Sequence, residues 1–297
     1  MRGRLAVVLV LLLGVGLALT GILARGRGKP RLPLEPGILL LLTADRGDWQ
    51  LASVADGVVA FPNVHGVSSD HAASVGAILT GRMPRENGLV RAGDAIASGC
   101  PVVADLLAQI GFVAATGVDL PTARPLFRHV HVEQATRTDA ARLLGEAGPA
   151  AIARTVALAI SLEDPEHPQL ALRLPPGLIA KSIDEREVSL LDVAPTLLEL
   201  FGVPIPADWM EPFLLAPRNP APRFFLYTRP STDAAQRDVD AITLLAAERR
   251  YSLDPAATPP EQCSDESARS ELRQILGSAF HYRLEPPEGP TRARWRR

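Results

Sequence analysis

His71 carries an imidazole that could serve as a general base or accept a transferred phosphoryl group as a nucleophile. Asp45 follows an apolar run, and a carboxylate at the end of such a run could hold a cation. His65, His129, His131 or His167 could gather with Asp45 into a nitrogen-containing metal site. The plainer alternatives are a capping or surface role for His71 and surface or turn positions for the other histidines, the His129-Val130-His131 pair included. Cys100 and Cys263 are the only cysteines, which excludes a disulfide framework and a cysteine-rich zinc site. A single bridge between these two stays open.

The elements that must position these groups follow from hydrophobic patterning. Residues 37–43 form a continuous apolar run ended by Ala44-Asp45-Arg46-Gly47, which reads as a strand buried on both faces of a parallel sheet. Ligand sites in open α/β sheets lie at the C-terminal ends of such strands, so Asp45 is well placed. Residues 58–61 predict a second strand, stopped by Pro62. Ser68-Ser69-Asp70 supply capping side chains for a helix over residues 71–79, ended by Gly81. A helix over 102–110 and a strand over 112–117 continue the alternation expected of βαβ units. Further on, the pattern predicts a helix over 138–144, strands over 155–161 and 170–174, and a helix within 189–202 whose first turn holds Pro195. Residues 204–222 are dense in proline and read as loop. Residues 224–227 and 241–245 read as edge strands, and 270–276 as a terminal helix.

The chain has 297 residues, 47% hydrophobic and 22% charged, with a net charge of -2. That suits one globular domain with a membrane-sized addition, and it gives no electrostatic case for nucleic-acid binding. Residues 5–24 are almost wholly apolar and as a helix would span roughly 30 Å of hydrocarbon. An uncleaved transmembrane anchor is favoured over a cleaved signal peptide, because the run is long and lacks a small-x-small site before Arg25. The resulting division is a short basic tail (1–4), an anchor (5–24), a linker (25–36), an α/β domain (37–285) and a basic C-terminal tail (286–297). The arginines of that last tail, Arg292, Arg294, Arg296 and Arg297, read as a solvated terminus, with contact to phosphates or anionic lipid as the alternative.

Four segments together resemble the sulfatase family of the alkaline phosphatase superfamily, as a short and degenerate member. Leu40 through Gly47 resembles the family's first strand and its metal-binding acidic turn. Phe61-Pro62-Asn63, continued by Ser74-Val75-Gly76-Ala77-Ile78-Leu79-Thr80-Gly81-Arg82-Met83-Pro84 and Asn87-Gly88-Leu89, resembles the nucleophile helix and the Leu-Thr-Gly-Arg signature after it. Residues 102–116 resemble the next helix and strand. Residues 188–206 resemble the family's Asp-x-x-Pro-Thr-Leu-Leu helix, here Asp192 to Leu198, closed by Gly202-Val203-Pro204. The resemblance implies an alkaline-phosphatase/sulfatase-like α/β fold, a mostly parallel sheet flanked by helices, preceded here by the transmembrane helix. It also implies sulfate or phosphate ester hydrolysis by a formylglycine nucleophile beside Ca²⁺ or Mg²⁺.

The groups that would do this chemistry are mostly replaced. Ala44 precedes Asp45 where the family has two adjacent acidic ligands, and His71 stands at the nucleophile position, where imidazole cannot become formylglycine. Val75 replaces an arginine and Val118 a lysine that bind the anionic group. The later metal turn is met by Ser161-Leu162-Glu163-Asp164, so Glu163 or Asp164 could replace one ligand with altered geometry. Asp192 reads as a structural helix residue. A set of Asp45 with Glu163 or Asp164 falls short of the oxygen ligands that calcium takes, so no cofactor is expected unless activity survives. Each lost transition-state donor alone is worth about 3–4 kcal/mol. The leading expectation is therefore a membrane-anchored pseudoenzyme with a binding or structural role. The alternative is an active metal-dependent sulfate or phosphate ester hydrolase built around His71 and Asp45.

The basic residues Arg25, Arg27, Lys29 and Arg31 after the anchor outnumber Arg2 and Arg4 before it, which taken alone would leave the body in the cytoplasm. The very short tail and the mostly exported membership of the resembled family favour the extracytoplasmic, periplasmic side. The sequence names no small-molecule or protein ligand.

Overall fold

Strand β1, Gly37–Thr43, owes its leucine run to its place in the sheet. It pairs in parallel with β5 (Val130–Gln134) on one side and β6 (Thr155–Ser161) on the other, and a central parallel strand is covered on both faces. Strand β6 carries the same signature, with Val156 to Ile160 at 0% exposure. The computed structural model describes residues 37–43, 58–110, 115–116, 130–134, 155–175, 184–209, 214, 224–230, 239–246, 249–254, 257, 259–280, 282–284 and 293–295. All lie within a unit spanning Pro33–Arg297. The segment read as a membrane anchor and the helix expected over 138–144 lie outside the described residues. Among the described residues, no helix is long and apolar enough to cross a membrane.

With β2 (Val58–Phe61), β4 (Ala115–Thr116) and β7 (Gln169–Arg173), the main sheet has six strands in the order β2-β7-β6-β1-β5-β4. Strand β7 pairs antiparallel with both β2 and β6, while the β6-β1-β5-β4 pairings are parallel. The sheet is thus mixed, with β7 alone running against the rest. β7 can follow β6 through a tight return over residues 162–168, whereas a parallel partner needs a crossover of a dozen residues or more.

Helix α1, His71–Thr80, begins at Asp70, whose side chain accepts from Ala73 N at 3.0 Å. It ends at Gly81, which sits in the left-handed region at φ 61 and donates to Ala77 O. Buried residues lie around most of its circumference, which is why its sequence is so rich in small residues. A short helix α2, Pro84–Asn87, and helices α3 (Val103–Ala108) and α4 (Val193–Leu200) follow, with α1 packed on α2 and α4 and α3 on α4. A single tight turn, Leu190–Asp192, leads into α4. There Asp192, fully buried, accepts from Ser189 N at 2.7 Å, while Leu191 N donates to Ser189 Oγ at 3.2 Å. Asp192 thus braces the turn that leads into α4. Pro195 sits in the first turn of α4, where a missing N–H costs nothing.

Several sequence expectations are corrected by pairing that only tertiary structure supplies. His131 lies on β5, opposite Leu39 of β1, rather than in a turn; His129 lies outside the described residues. Strand β10 (Val239–Ala246) is interior, flanked by β9 (Phe224–Pro230) and β11 (Arg249–Leu253), with β12 (Glu261–Cys263) beyond. This second, antiparallel sheet takes in both segments read as edge strands, and only β9 is an edge. The stretch read as a solvated tail contributes β14 (Ala293–Trp295), paired antiparallel with β13 (Tyr282–Leu284). Cys100 is buried and Cys263 half-buried, and both are free thiols.

Helix α5, Arg269–Ser278, turns Leu272 and Leu276 inward and is held to β11 and β12 by one polar network. Tyr251 Oη donates to Glu261 Oε1 at 2.6 Å and Arg273 Nε to the same oxygen at 2.7 Å, with Arg273 Nη2 on Glu261 Oε2. Burial alone would raise the Glu261 carboxyl, but the bonds from Arg273 and Tyr251 outweigh it and hold the carboxyl below its ordinary range. Burial, with the bond to Glu261, pushes Tyr251 up to about 12. A depressed carboxyl contributes stability that is complete above its unfolded pKa and is lost as pH falls through the folded value. Glu261→Gln should therefore lower stability by about 1–2 kcal/mol at neutral pH, given that Arg273 is half exposed to solvent. The deficit should shrink toward acid pH, read by urea melts of both proteins.

Candidate functional site

The C-terminal ends of β1 and β6 lie side by side, because their register runs to Thr43 opposite Ser161. Residues at such an edge, where adjacent parallel strands end, are the natural place for ligand chemistry in an α/β sheet. Helix α1 starts at the same rim. His71, its exposed first residue, places Nε2 2.7 Å from Leu162 O just past β6. A carbonyl accepts, so this contact puts the proton on Nε2. The cap is Asp70, which also accepts from Ala92 N at 3.2 Å. His71 is thus a rim residue held by the β6 loop, and the capping role belongs to its neighbour.

Asp164 serves its own turn. Its Oδ1 accepts from Glu166 N at 3.1 Å and His167 N at 3.3 Å, and Oδ2 faces His167 Nδ1 at 3.3 Å. Burial opposes ionisation, but these bonds more than offset it and the carboxyl titrates below its ordinary value. Glu163 is exposed beside it, with its N–H 3.5 Å from Ser161 Oγ. Asp45 lies outside the described residues. Among the described residues, no group of three or more His, Cys, Asp or Glu side chains is placed to hold a metal. A hard divalent ion needs several carboxylate and carbonyl oxygens turned inward together. Asp164, committed to a local turn, does not fit that demand.

Four further rim residues come from distant strands, and no sequence motif points to them. Thr228 of β9 donates through N and Oγ1 to Val67 O at 2.9 Å each, and Ser69 N donates back to Thr228 O at 3.0 Å. The second sheet is thereby stitched to the segment just ahead of α1. Beside it, burial first and then the carboxylates of Glu166 and Asp164 push the Tyr227 hydroxyl up to about 12, against opposing contributions from Ser69 and Arg229. Arg250 Nη2 reaches Glu166 Oε1 at 3.3 Å, and Arg229 Nη2 reaches Asp254 Oδ2 at 3.0 Å. Arg229 and Arg250 are thus each paired with a carboxylate near this rim.

The signature after the helix has a different character. Thr80 Oγ1 donates to Gly76 O at 2.7 Å, and buried Asn87 joins Thr80 Oγ1, Arg82 O and Leu89 N at 3.1, 3.3 and 2.8 Å. A Cβ on Gly76 would stand 2.7 Å from Leu89 Cδ2, and one on Gly81 3.1 Å from the Trp209 ring. Ser74, fully buried, donates to Ser68 O at 3.1 Å. Together these contacts lock α1 in place.

No family model matches the sequence, and no curated protein matches it. Solved structures do match. The phosphonate monoester hydrolase SpPMH from Silicibacter pomeroyi aligns at TM-score 0.62 and 12% identity, over 89% of this chain and 99% of that one. BT1596, a 2-O GAG sulfatase, aligns at 0.55 and 12%, over 83% and 88% of the two chains. BT33336S-sulf, reported with glycosaminoglycan metabolism by Bacteroides thetaiotaomicron, aligns at 0.59 and 11%, over 84% and 100%. Similarity at this level of identity speaks for architecture: the chain has the sulfatase-like α/β fold, shared with sulfatases and a phosphonate monoester hydrolase.

Proposed function

We propose that this chain is a degenerate sulfatase-family member that no longer hydrolyses sulfate or phosphate esters and acts as a membrane-anchored binding or structural element. The observation that carries this is the split within one helix. At the C-terminal end of α1, Gly76, Thr80, Gly81 and Asn87 are accounted for by packing and hydrogen bonds. At its N-terminal end, where an attacking group should stand, His71 is tied to Leu162 O and the adjacent Asp164 closes its own turn. Ester cleavage needs positive charge gathered on the transferring oxygens, together with an activated nucleophile. At the described rim Arg229 and Arg250 are paired with carboxylates and His71 with a backbone carbonyl, which supports the reading. Residues 5–24 supply the anchor in this proposal, with the body on the extracytoplasmic side.

The test is an assay of protein lacking residues 1–31 against aryl sulfates, phosphate monoesters and phosphate diesters, each with Ca²⁺, Mg²⁺, Mn²⁺ and Zn²⁺. No turnover above that of a protein-free control is expected. Turnover abolished by both His71→Ala and Asp45→Ala would overturn the proposal and establish a hydrolase built on those two residues. Calorimetry addresses the metal separately, and micromolar binding lost in Asp45→Ala would show that the ligand set is richer than the described residues make it.

A further inference from the structure

Asn63, Asn87 and Asn219 are the asparagines of the chain, and only Asn87 precedes a glycine. The corner between α1 and α2 calls for both members of that pair. Asn87 is fully buried, with Oδ1 accepting from Leu89 N and Nδ2 donating to Thr80 Oγ1 and Arg82 O. Its own carbonyl accepts from Ala97 N at 2.7 Å. Gly88 follows in the left-handed region at φ 86, and a Cβ there would stand 3.1 Å from Ala97 N and 3.3 Å from Ala95 O. Backbone and space therefore both demand glycine. The same dipeptide is chemically labile. With no Cβ on the second residue, nothing shields its nitrogen from the side-chain carbonyl carbon of the first.

We propose that Asn87-Gly88 is a deamidation site kept silent by the fold, whose conversion marks chains that have opened at this corner and bars their return. Gly88 N gives its proton to hydroxide and attacks Asn87 Cγ. The new N–Cγ bond closes a succinimide ring, the Cγ–Nδ2 bond breaks, and Nδ2 leaves as ammonia with a proton from water. A second water opens the ring at either carbonyl, giving aspartate or isoaspartate. In the folded protein Gly88 N donates instead to Pro84 O at 3.0 Å, which commits the attacking nitrogen to the end of α2. The amide it would attack is held at both ends and buried. Reaction therefore waits on local opening. Its products do not fit the closed corner: aspartate has no proton to give Thr80 Oγ1 or Arg82 O once ionised. Isoaspartate routes the main chain through the side-chain carbon and so moves Gly88 off Pro84 O. Opening is thereby coupled to an irreversible covalent change, and survival of the folded form becomes a matter of rate.

The experiment ages the full chain at mildly alkaline pH, folded and in guanidinium chloride, and follows the peptide carrying Asn87 by mass spectrometry, with fragmentation that separates aspartate from isoaspartate. Conversion at Asn87 should be at least about tenfold slower in the folded protein. Thr80→Val, which removes the hydroxyl that accepts from Nδ2, should speed the folded-state reaction by about threefold or more and leave the denatured rate unchanged. After a brief protease digest of the aged folded sample, the surviving chains should be depleted of aspartate and isoaspartate at position 87 relative to the undigested sample. Equal rates folded and denatured overturn the proposal. So does a surviving fraction that carries the modification in full share. A Thr80→Val protein that folds and deamidates no faster than wild type counts against it as well; were that variant not to fold, the two wild-type measurements decide alone.

Discussion

Gly66→Ala should destabilise the protein by about 3 kcal/mol or more, the upper end of what overpacking costs. A Cβ at this position would stand 1.7 Å from Pro165 O and 2.8 Å from Pro165 C, both backbone atoms that cannot swing aside as a side chain would. The approach is that close because Gly66 N donates to Glu166 O at 3.1 Å, pinning the 163–167 turn against the segment entering α1. Relief requires pushing that turn outward, and the same movement strains His71 on Leu162 O and Arg250 on Glu166. For a body of this size the midpoint of thermal unfolding should fall by roughly 6–12 °C. Gly202→Ala is the control: at φ 69 with nothing within 4 Å of the added carbon, it suffers only left-handed strain, roughly 1–2 kcal/mol. Equal losses in the two variants would show that steric crowding at Gly66 does not govern this region.

That junction also shows why the sequence gave up some parts of the structure and not others. Strands β1 and β6 are readable because a doubly covered parallel strand must be apolar throughout, and α1 because Asp70 and Gly81 mark its ends by local chemistry. Strand β5 is hidden by its own polarity: Val130-His131-Val132-Glu133-Gln134 has little apolar continuity, and only pairing with β1 and β4 makes it a strand. In the second sheet β9 and β10 are legible as strands from their apolar runs, whereas β11 and β12 are short and polar and are recognised by their partners alone. At the rim, the alignment of motifs placed His71 correctly on the first turn of α1 and Glu163 and Asp164 just after β6. It could not show what those residues bind. His71 meets a carbonyl 91 residues away, and Tyr227, Arg229 and Arg250 reach the rim from the other sheet. Asp164, which by motif position could replace one metal ligand, closes a turn with His167, an interaction that sequence spacing allows but does not announce.

Asn87→Ala should cost about 2–4 kcal/mol, because it strips partners from several buried groups at once. Asn87 is fully buried; its Oδ1 accepts from Leu89 N at 2.8 Å, and its Nδ2 donates to Thr80 Oγ1 at 3.1 Å and Arg82 O at 3.3 Å. Removing the amide leaves the Leu89 N–H without that acceptor in a place water cannot reach. Asn87→Asp tests the same geometry with almost no change in volume. The introduced carboxylate can still accept from Leu89 N, but it would face the Arg82 carbonyl with no proton to give, so the ionised form should be the worse fit. Its folded pKa should therefore lie above the unfolded value, making this variant most stable in acid and progressively weaker as pH rises. Thermal melts at about pH 5 and about pH 8 separate the cases, since Asn87→Ala should show a deficit nearly independent of pH and Asn87→Asp one that grows. A pH-independent Asn87→Asp near wild-type stability would mean that donation from this side chain contributes little. The retained signature would then need another explanation than the anchoring of α1, and the contrast on which the loss of catalysis is argued would weaken with it.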